Sequence, residues 1–68
     1  MTLGKKIRAV RLAHNQRPTE FAYHLGITSA SVYMYEKGAI IPSWKVLDKM
    51  IRLYKIDKSE LVNLLFPN

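Results

Sequence analysis

The sequence predicts an all-α fold, because apolar residues recur at helical spacing and no segment alternates as a strand does. Leu3, Ile7 and Val10 are three or four residues apart, which places them on one face of a helix. The chain has 68 residues, 49% of them hydrophobic, and it has no cysteine. Packing must therefore hold the fold without disulfides or a structural zinc ion. We predict one compact domain over residues 1–68.

Capping and breaking residues define the first two predicted helices. Thr2 can cap a first helix that runs from about Leu3 to Ala13. Pro18 suits the first position of a second helix that ends near Leu25, since proline lacks the amide hydrogen that this position leaves free. A glycine follows directly and is expected to take the left-handed conformation that ends a helix.

The third and fourth helices follow from the same signals. Thr28 is expected to cap a third helix, roughly Ser29–Lys37, which Gly38 ends. Ser43 then caps a fourth helix that continues to about Lys55. The short connection between these helices contains a proline, which disfavours helix at the residue before it.

A fifth helix is predicted to end near Phe66. Asp57 and Glu60 have the spacing of a capping box, in which each side chain accepts a hydrogen bond from a free amide. The helix has more apolar residues than one face requires: Leu61, Val62, Leu64, Leu65 and Phe66. Two interpretations stay open, namely self-association into a homodimer and a cap that closes the last helix against the first.

The chain is basic, and the charge is uneven. The formal net charge is +6, and five cationic residues precede the first acidic residue, Glu20. Such a bias favours nucleic acid or another anionic partner, although a solvated surface would also explain it. No apolar run approaches the roughly 18 residues of a membrane span, and the N-terminus is too polar for a signal peptide. We therefore expect a cytoplasmic protein with no membrane partner.

The sequence does not predict an enzyme, a cofactor or a metal site. His14 and His24 are ten residues apart and have no cysteine or carboxylate cluster beside them, so they are expected at the surface. Ser29 and Ser31 have no base at nucleophile spacing. The chain also lacks a glycine-rich phosphate loop.

The second and third predicted helices are joined by a short turn that contains Gly26. This is the helix-turn-helix layout, in which the second helix of the pair enters the major groove of DNA. In the third helix, Val32 and Tyr35 should face the core. Five other positions should face outward and lie near bases or a partner: Ser29, Ala30, Tyr33, Met34 and Lys37.

Residues along most of the chain match a known family in order. They are Ile7-Arg8, Phe21-Ala22, Leu25-Gly26-Ile27-Thr28, Val32, Glu36, Gly38, Pro42-Ser43 and Ile56-Asp57-Lys58-Ser59-Glu60-Leu61. With this set the chain resembles the lambda-repressor and Cro family of helix-turn-helix domains. In size it is similar to the small Cro-like and modulator proteins of temperate bacteriophages. The resemblance implies a compact five-helix DNA-binding domain in which Arg11 pairs with Glu36.

The residues that would contact DNA depart from the family pattern. Where family members present polar residues to bases, this chain has Ser29, Ala30, Tyr33 and Met34, and none of them is the Arg, Lys, Asn or Gln of direct readout. The family's phosphate-binding glutamine at the start of the second helix corresponds to Pro18. The cations that remain for phosphates are Lys5, Lys6, Arg17 and Lys45, with Lys37 beside the bases.

Two functions are therefore weighed. The first is a phage-type transcriptional regulator that places the third helix in the major groove of double-stranded DNA. The second is an antirepressor-type modulator that binds a cognate repressor protein and blocks its DNA surface. Its contacts would be the apolar residues of the third helix together with Ala39, Ile40, Ile41 and Trp44, since exposed apolar patches mark protein interfaces. Alternatively, Ile41 and Trp44 pack beneath the domain.

Overall fold

The computed structural model describes residues 1–67, and that part of the chain is all-α, as predicted. Its five helices are α1 (Leu3–Ala13), α2 (Pro18–Leu25), α3 (Ser29–Lys37), α4 (Trp44–Tyr54) and α5 (Lys58–Leu65). The helices α4 and α5 each end one residue before the predicted position. Lys55 ends α4 because it takes a left-handed conformation, with φ of 56°. None of the helices in residues 1–67 is long and apolar enough to cross a membrane.

Hydroxyl side chains cap the start of three of the helices. Thr2, Thr28 and Ser43 each accept a hydrogen bond from the backbone amide three residues later, over 3.1–3.3 Å. Each bond satisfies one of the amides that a helix start leaves without a partner. Gly26 and Gly38 end α2 and α3 with φ of 70° and 80°, a conformation that favours glycine. The predicted boundaries of α2 and α3 are confirmed.

Of the two hydrogen bonds in the capping box predicted at the start of α5, the structure has only one. Asp57 Oδ1 accepts from the amide of Ser59 over 3.0 Å, as a cap does. Glu60, however, turns toward α1, where its Oε1 lies 2.8 Å from Nζ of Lys6. A lysine cation on the neighbouring helix offers this carboxylate a charged donor, which is a stronger partner than a backbone amide.

One hydrophobic core joins all five helices. Seven side chains are almost fully buried: Phe21, Ile7, Leu25, Leu47, Met50, Leu61 and Val32. Leu61 brings α5 into this core and Leu65 packs against it, which supports the interpretation of α5 as a cap on the domain. Phe66 is exposed. Self-association through this segment stays a prediction.

Two contacts fix α3 to α1. Arg11 donates to both carboxylate oxygens of Glu36, from Nε over 2.7 Å and from Nη2 over 3.0 Å. Its third donor, Nη1, bonds the carbonyl of Gln16 over 3.0 Å. The Glu36 hydrogen bonds raise the pKa of Arg11 above its ordinary value. The pair implied by the family resemblance is therefore present, and both carboxylate oxygens of Glu36 accept a hydrogen bond from Arg11.

The second contact is a close backbone approach at Gly4. A Cβ atom at this position would lie 2.6 Å from the carbonyl oxygen of Glu36 and 2.7 Å from that of Tyr35. Real Cβ atoms essentially never approach backbone atoms so closely. Glycine therefore allows the first turn of α1 to lie directly against the end of α3. Together with the Arg11 pair, this contact sets the orientation of α3.

Candidate nucleic-acid interface

The turn between α2 and α3 is closed by backbone hydrogen bonds. The amide of Ile27 donates to the carbonyl of Ala22 over 3.0 Å, and Gly26 donates to Tyr23 over 3.2 Å. These bonds satisfy carbonyls that the end of α2 leaves free. In addition, Nζ of Lys49 in α4 lies 3.4 Å from the carbonyl of Leu25. A cation at this end of a helix is favoured by the helix dipole.

One face of α3 is turned away from the core. We call it the outer face and define it as Ala30, Tyr33, Met34 and Lys37, whose spacing of three and four residues aligns them on a helix. All four residues are exposed, and the exposed fraction is 55% for Tyr33 and 41% for Met34. The opposite side of α3 is buried at Val32 and Tyr35, as predicted.

The hydroxyl groups near the start of α3 contribute little to the outer face. Ser29 was predicted to face outward, but it is half-buried, so the outer face is narrower than the sequence suggested. The hydroxyl of Ser31 lies 3.1 Å from that of Thr28, which also accepts from the amide of Ser31. The outer face consequently consists of two apolar side chains, one phenol and one ammonium group.

A family model described as a helix-turn-helix domain matches residues 2–64 of the chain. This protein belongs to the helix-turn-helix domain family. No significant match was found among curated proteins or among solved structures. In helix-turn-helix domains the second helix of the motif enters the major groove of DNA, and α3 is the second helix of the motif in this chain.

The cations predicted to bind phosphates have different surroundings in this helix-turn-helix domain. Lys5, Arg17 and Lys45 are exposed and form no ion pair within residues 1–67. They lie in the first turn of α1, at the start of α2 and in the first turn of α4. Lys6 is instead paired with Glu60 of α5. This ion pair competes with a phosphate for the Lys6 ammonium group, and binding of phosphate by Lys6 stays a prediction.

Glu20 caps the start of α2, a role that sequence reasoning missed. The carboxylate of Glu20 accepts a hydrogen bond from the amide of Arg17 over 2.9 Å. A helix N-terminus ordinarily attracts an anion such as phosphate. Here the protein's own carboxylate takes that place, and Pro18 contributes no amide hydrogen. The start of α2 is therefore a poor phosphate site apart from the side chain of Arg17.

Apolar side chains are exposed beyond the end of α3 as well. The amides of Ala39 and Ile40 lie 2.9 and 3.5 Å from the carbonyl oxygen of Met34, so this loop folds back against the helix end. Ile40 and Ile41 are 43% and 70% exposed. The interpretation that Ile41 packs beneath the domain is wrong. We call Tyr33, Met34, Ile40 and Ile41 the apolar patch.

Trp44 does not pack beneath the domain either, because 58% of it is exposed. It lines a shallow cleft of about 390 Å³ together with Asp48, Ile51 and Lys58. This cleft lies between α4 and α5. Trp44 is therefore open to a partner, and its role in binding one stays a prediction.

The two histidines are exposed, as predicted. Nδ1 of His14 lies 2.9 Å from the carbonyl oxygen of Val10, and its ring packs edge-on against Tyr54. The phenol of Tyr54 donates to Gln16 over 2.8 Å, and burial raises the pKa of this tyrosine. Within residues 1–67, no group of three or more His, Cys, Asp or Glu side chains could hold a metal ion.

Proposed function

We propose that this protein is a small DNA-binding transcriptional regulator that places α3 in the major groove. The observation that carries the proposal is the division of α3 into a fixed side and an open side. Arg11 and Gly4 hold one side against α1, while Tyr33 and Met34 extend into solvent on the other. A rigid helix with a free outer face has the form that major-groove recognition requires.

The exposed cations support binding to the DNA backbone. In this proposal, Lys5, Arg17, Lys37 and Lys45 contact phosphates, while Ala30, Tyr33 and Met34 lie near base edges. The backbone of Gly4 lies against the C-terminal end of α3. Lys5 is the next residue of α1 and Lys37 is the last residue of α3, so both side chains begin near that end of α3. About four phosphate contacts predict that log affinity falls with log salt at a slope of about −4.

Selection of bound duplexes from a random library at low salt tests this proposal. Fluorescence anisotropy then compares a selected duplex with random DNA of the same length. We expect the selected duplex to bind at least about tenfold more tightly, since two apolar contacts of about 0.8 kcal/mol each would together exceed that factor. Selected DNA that binds no more tightly than random DNA would contradict the proposal.

We also propose a finer placement, as a lambda-repressor or Cro-like regulator of a phage genetic switch. The family match over residues 2–64 supports a helix-turn-helix domain, and the pairing of Arg11 with Glu36 agrees with the lambda-repressor resemblance. This placement predicts a repressor gene next to the gene for this protein, transcribed in the opposite direction. Sequencing of the surrounding genome checks it, and a neighbourhood without any regulator or phage gene would count against it.

A second candidate function is favoured by the apolar patch. A modulator of the same fold would bind a partner repressor protein through this patch and block its DNA-binding surface. Exposed Tyr and Met side chains suit the core of a protein interface. Size-exclusion chromatography with the repressor encoded beside this protein should then give a complex that Met34→Asp or Ile40→Asp disrupts. The matched control is Leu53→Asp, since Leu53 is also exposed but lies in α4. An unchanged elution of the repressor would remove this candidate.

A further inference from the structure

The chemistry of the outer face indicates what kind of DNA site it would select, and this inference rests on the proposed DNA-binding function. We propose that Ala30 and Met34 recognise the 5-methyl groups of thymines in the major groove. The favoured ligand is then a duplex with A·T pairs at the positions that face the first two turns of α3.

The first two turns of α3 present no charged or amide side chain to a base. Residues Ser29–Tyr35 include no Arg, Lys, Asn, Gln, Asp or Glu. The hydroxyl of Ser31 lies within hydrogen-bond distance of the hydroxyl of Thr28. Bidentate hydrogen bonds to guanine or adenine are consequently not available from these two turns. The phenol of Tyr33 is the one polar group that extends from the outer face before Lys37.

Thymine differs from the other bases in the groups that it presents in the major groove. Guanine, adenine and cytosine offer hydrogen-bond donors and acceptors in the major groove, whereas thymine also offers a methyl group. An apolar side chain pressed against a polar base edge would leave that edge without a hydrogen-bond partner, which is unfavourable. The same side chain against a thymine methyl removes apolar surface from water, which favours binding by about fourfold per methyl group.

The order of residues along α3 places its apolar side chains before its cation. Ala30 lies in the first turn, and in helix-turn-helix domains the N-terminal residues of the recognition helix contact the bases. Its single methyl group lets the helix backbone approach the groove closely. Met34 is one turn later, and its unbranched, flexible thioether side chain can adapt to a methyl group. Lys37, in the last turn, is the only cation of α3 and is suited to a phosphate.

Replacement of thymine by uracil tests this inference, because uracil lacks only the methyl group. The experiment uses the full chain and a selected duplex in which each A·T pair is changed in turn to A·U. We expect at least one position at which affinity, measured by anisotropy, falls about fourfold. At the same position, a G·C pair with 5-methylcytosine should bind about fourfold more tightly than one with unmodified cytosine.

A protein variant then assigns the effect to the outer face. In Met34→Ala, the affinities for the thymine duplex and the uracil duplex should differ by less than about twofold at one position. The reason is that this change removes the atoms that contact the methyl group. The matched control, Leu53→Ala, shortens an exposed apolar side chain in α4 and should leave the difference unchanged.

The outcomes separate this inference from the proposed function. Specific binding that is insensitive to uracil at every position would overturn methyl recognition and leave DNA binding intact. A uracil effect that persists in both Met34→Ala and Ala30→Gly would overturn the assignment to these residues. If no duplex is selected over random DNA, the proposed function fails, and methyl recognition fails with it.

Discussion

The two sides of α3 differ in almost every physical respect. The inner side is buried at Val32 and Tyr35, and Glu36 beside them makes two hydrogen bonds to one arginine. The outer face exposes Tyr33 and Met34 to solvent. The inner side is therefore explained by folding, whereas nothing in the fold requires a methionine or a tyrosine on the outer face.

This difference shows where the function of the protein is to be sought. Scattered apolar residues on a surface are ordinary, but a group of them on one helix and the loop behind it is a typical binding surface. Tyr33 and Met34 are exposed on the helix that helix-turn-helix domains use for DNA, and Ile40 and Ile41 are exposed on the loop that follows it. The comparison predicts that changes to the inner side alter stability and that changes to the outer face alter binding.

The largest effect is expected from Arg11→Ala. This change leaves the buried carboxylate of Glu36 without its partner and should lower the free energy of unfolding by about 3–5 kcal/mol. A domain of this length is stable by about 3–10 kcal/mol, so the variant loses a large fraction of its stability. Urea denaturation followed by circular dichroism measures the effect.

Two further variants keep this prediction testable. The double variant Arg11→Met with Glu36→Leu removes both charges and should recover most of the lost stability. Lys6→Ala breaks the more exposed pair with Glu60 and should cost no more than about 1 kcal/mol. An equal loss of unfolding free energy in Arg11→Ala and Lys6→Ala would show that the buried ion pair contributes no more to stability than the exposed one.

A second, smaller loss of stability is expected from Gly4→Ala. Alanine normally stabilises a helix relative to glycine by about 1 kcal/mol. Here its Cβ would collide with two backbone carbonyls of α3, and overpacking of this kind costs about 1–3 kcal/mol. Thermal unfolding should show a lower midpoint, with the exposed Ala9→Gly as the propensity control in the same helix. A rise in the midpoint for Gly4→Ala would mean that the close approach of α1 to α3 does not exist.

Most of the fold could be predicted from the sequence, because its signals are local. Caps such as Thr28 and stops such as Gly38 act within a few residues of themselves, and both were correct. The reciprocal cap at α5 failed because Lys6, distant in sequence, draws Glu60 away. A partner that becomes adjacent only after folding leaves no mark in the local spacing.

The candidate site was less predictable for the same reason. An isolated glycine inside a helical pattern is a weak signal of close packing, and this signal was available at Gly4. No sequence pattern indicated that Lys49 lies beneath the turn between α2 and α3. The cap formed by Arg17 and Glu20 was missed because arginine is not a usual residue at that position. The exposure of Trp44 could not be decided from its apolar character alone.

On the outer face, Met34→Gln distinguishes the two candidate functions. If α3 enters the major groove, glutamine can make paired hydrogen bonds to adenine, so DNA binding persists with an altered preference. If the apolar patch forms a dry protein interface, the buried amide should weaken the complex by about 1–3 kcal/mol. Anisotropy with DNA and calorimetry with the repressor measure the two effects separately. The stability should change by less than about 0.5 kcal/mol in either case, because the position is at the surface.

The smallest effect is expected at the start of α2. Glu20→Gln removes a negative charge from the helix end, while the amide oxygen of glutamine can still accept from Arg17. DNA affinity at low salt should increase about two- to fivefold, since an exposed charge interaction contributes up to about 1 kcal/mol. Asp48→Asn, which removes an exposed acid from α4, is the control and should leave the affinity unchanged. A decrease for Glu20→Gln would mean that this carboxylate assists binding.

The proposed function requires that the outer face of α3 is the surface that contacts DNA. Two-dimensional ¹H–¹⁵N NMR spectra, recorded while a selected duplex is added, test this directly. We expect the largest shifts at the amides of Ser29–Lys37, with small changes along α5. The largest shifts in α5 or in the cleft beside Trp44, with α3 unchanged, would contradict it.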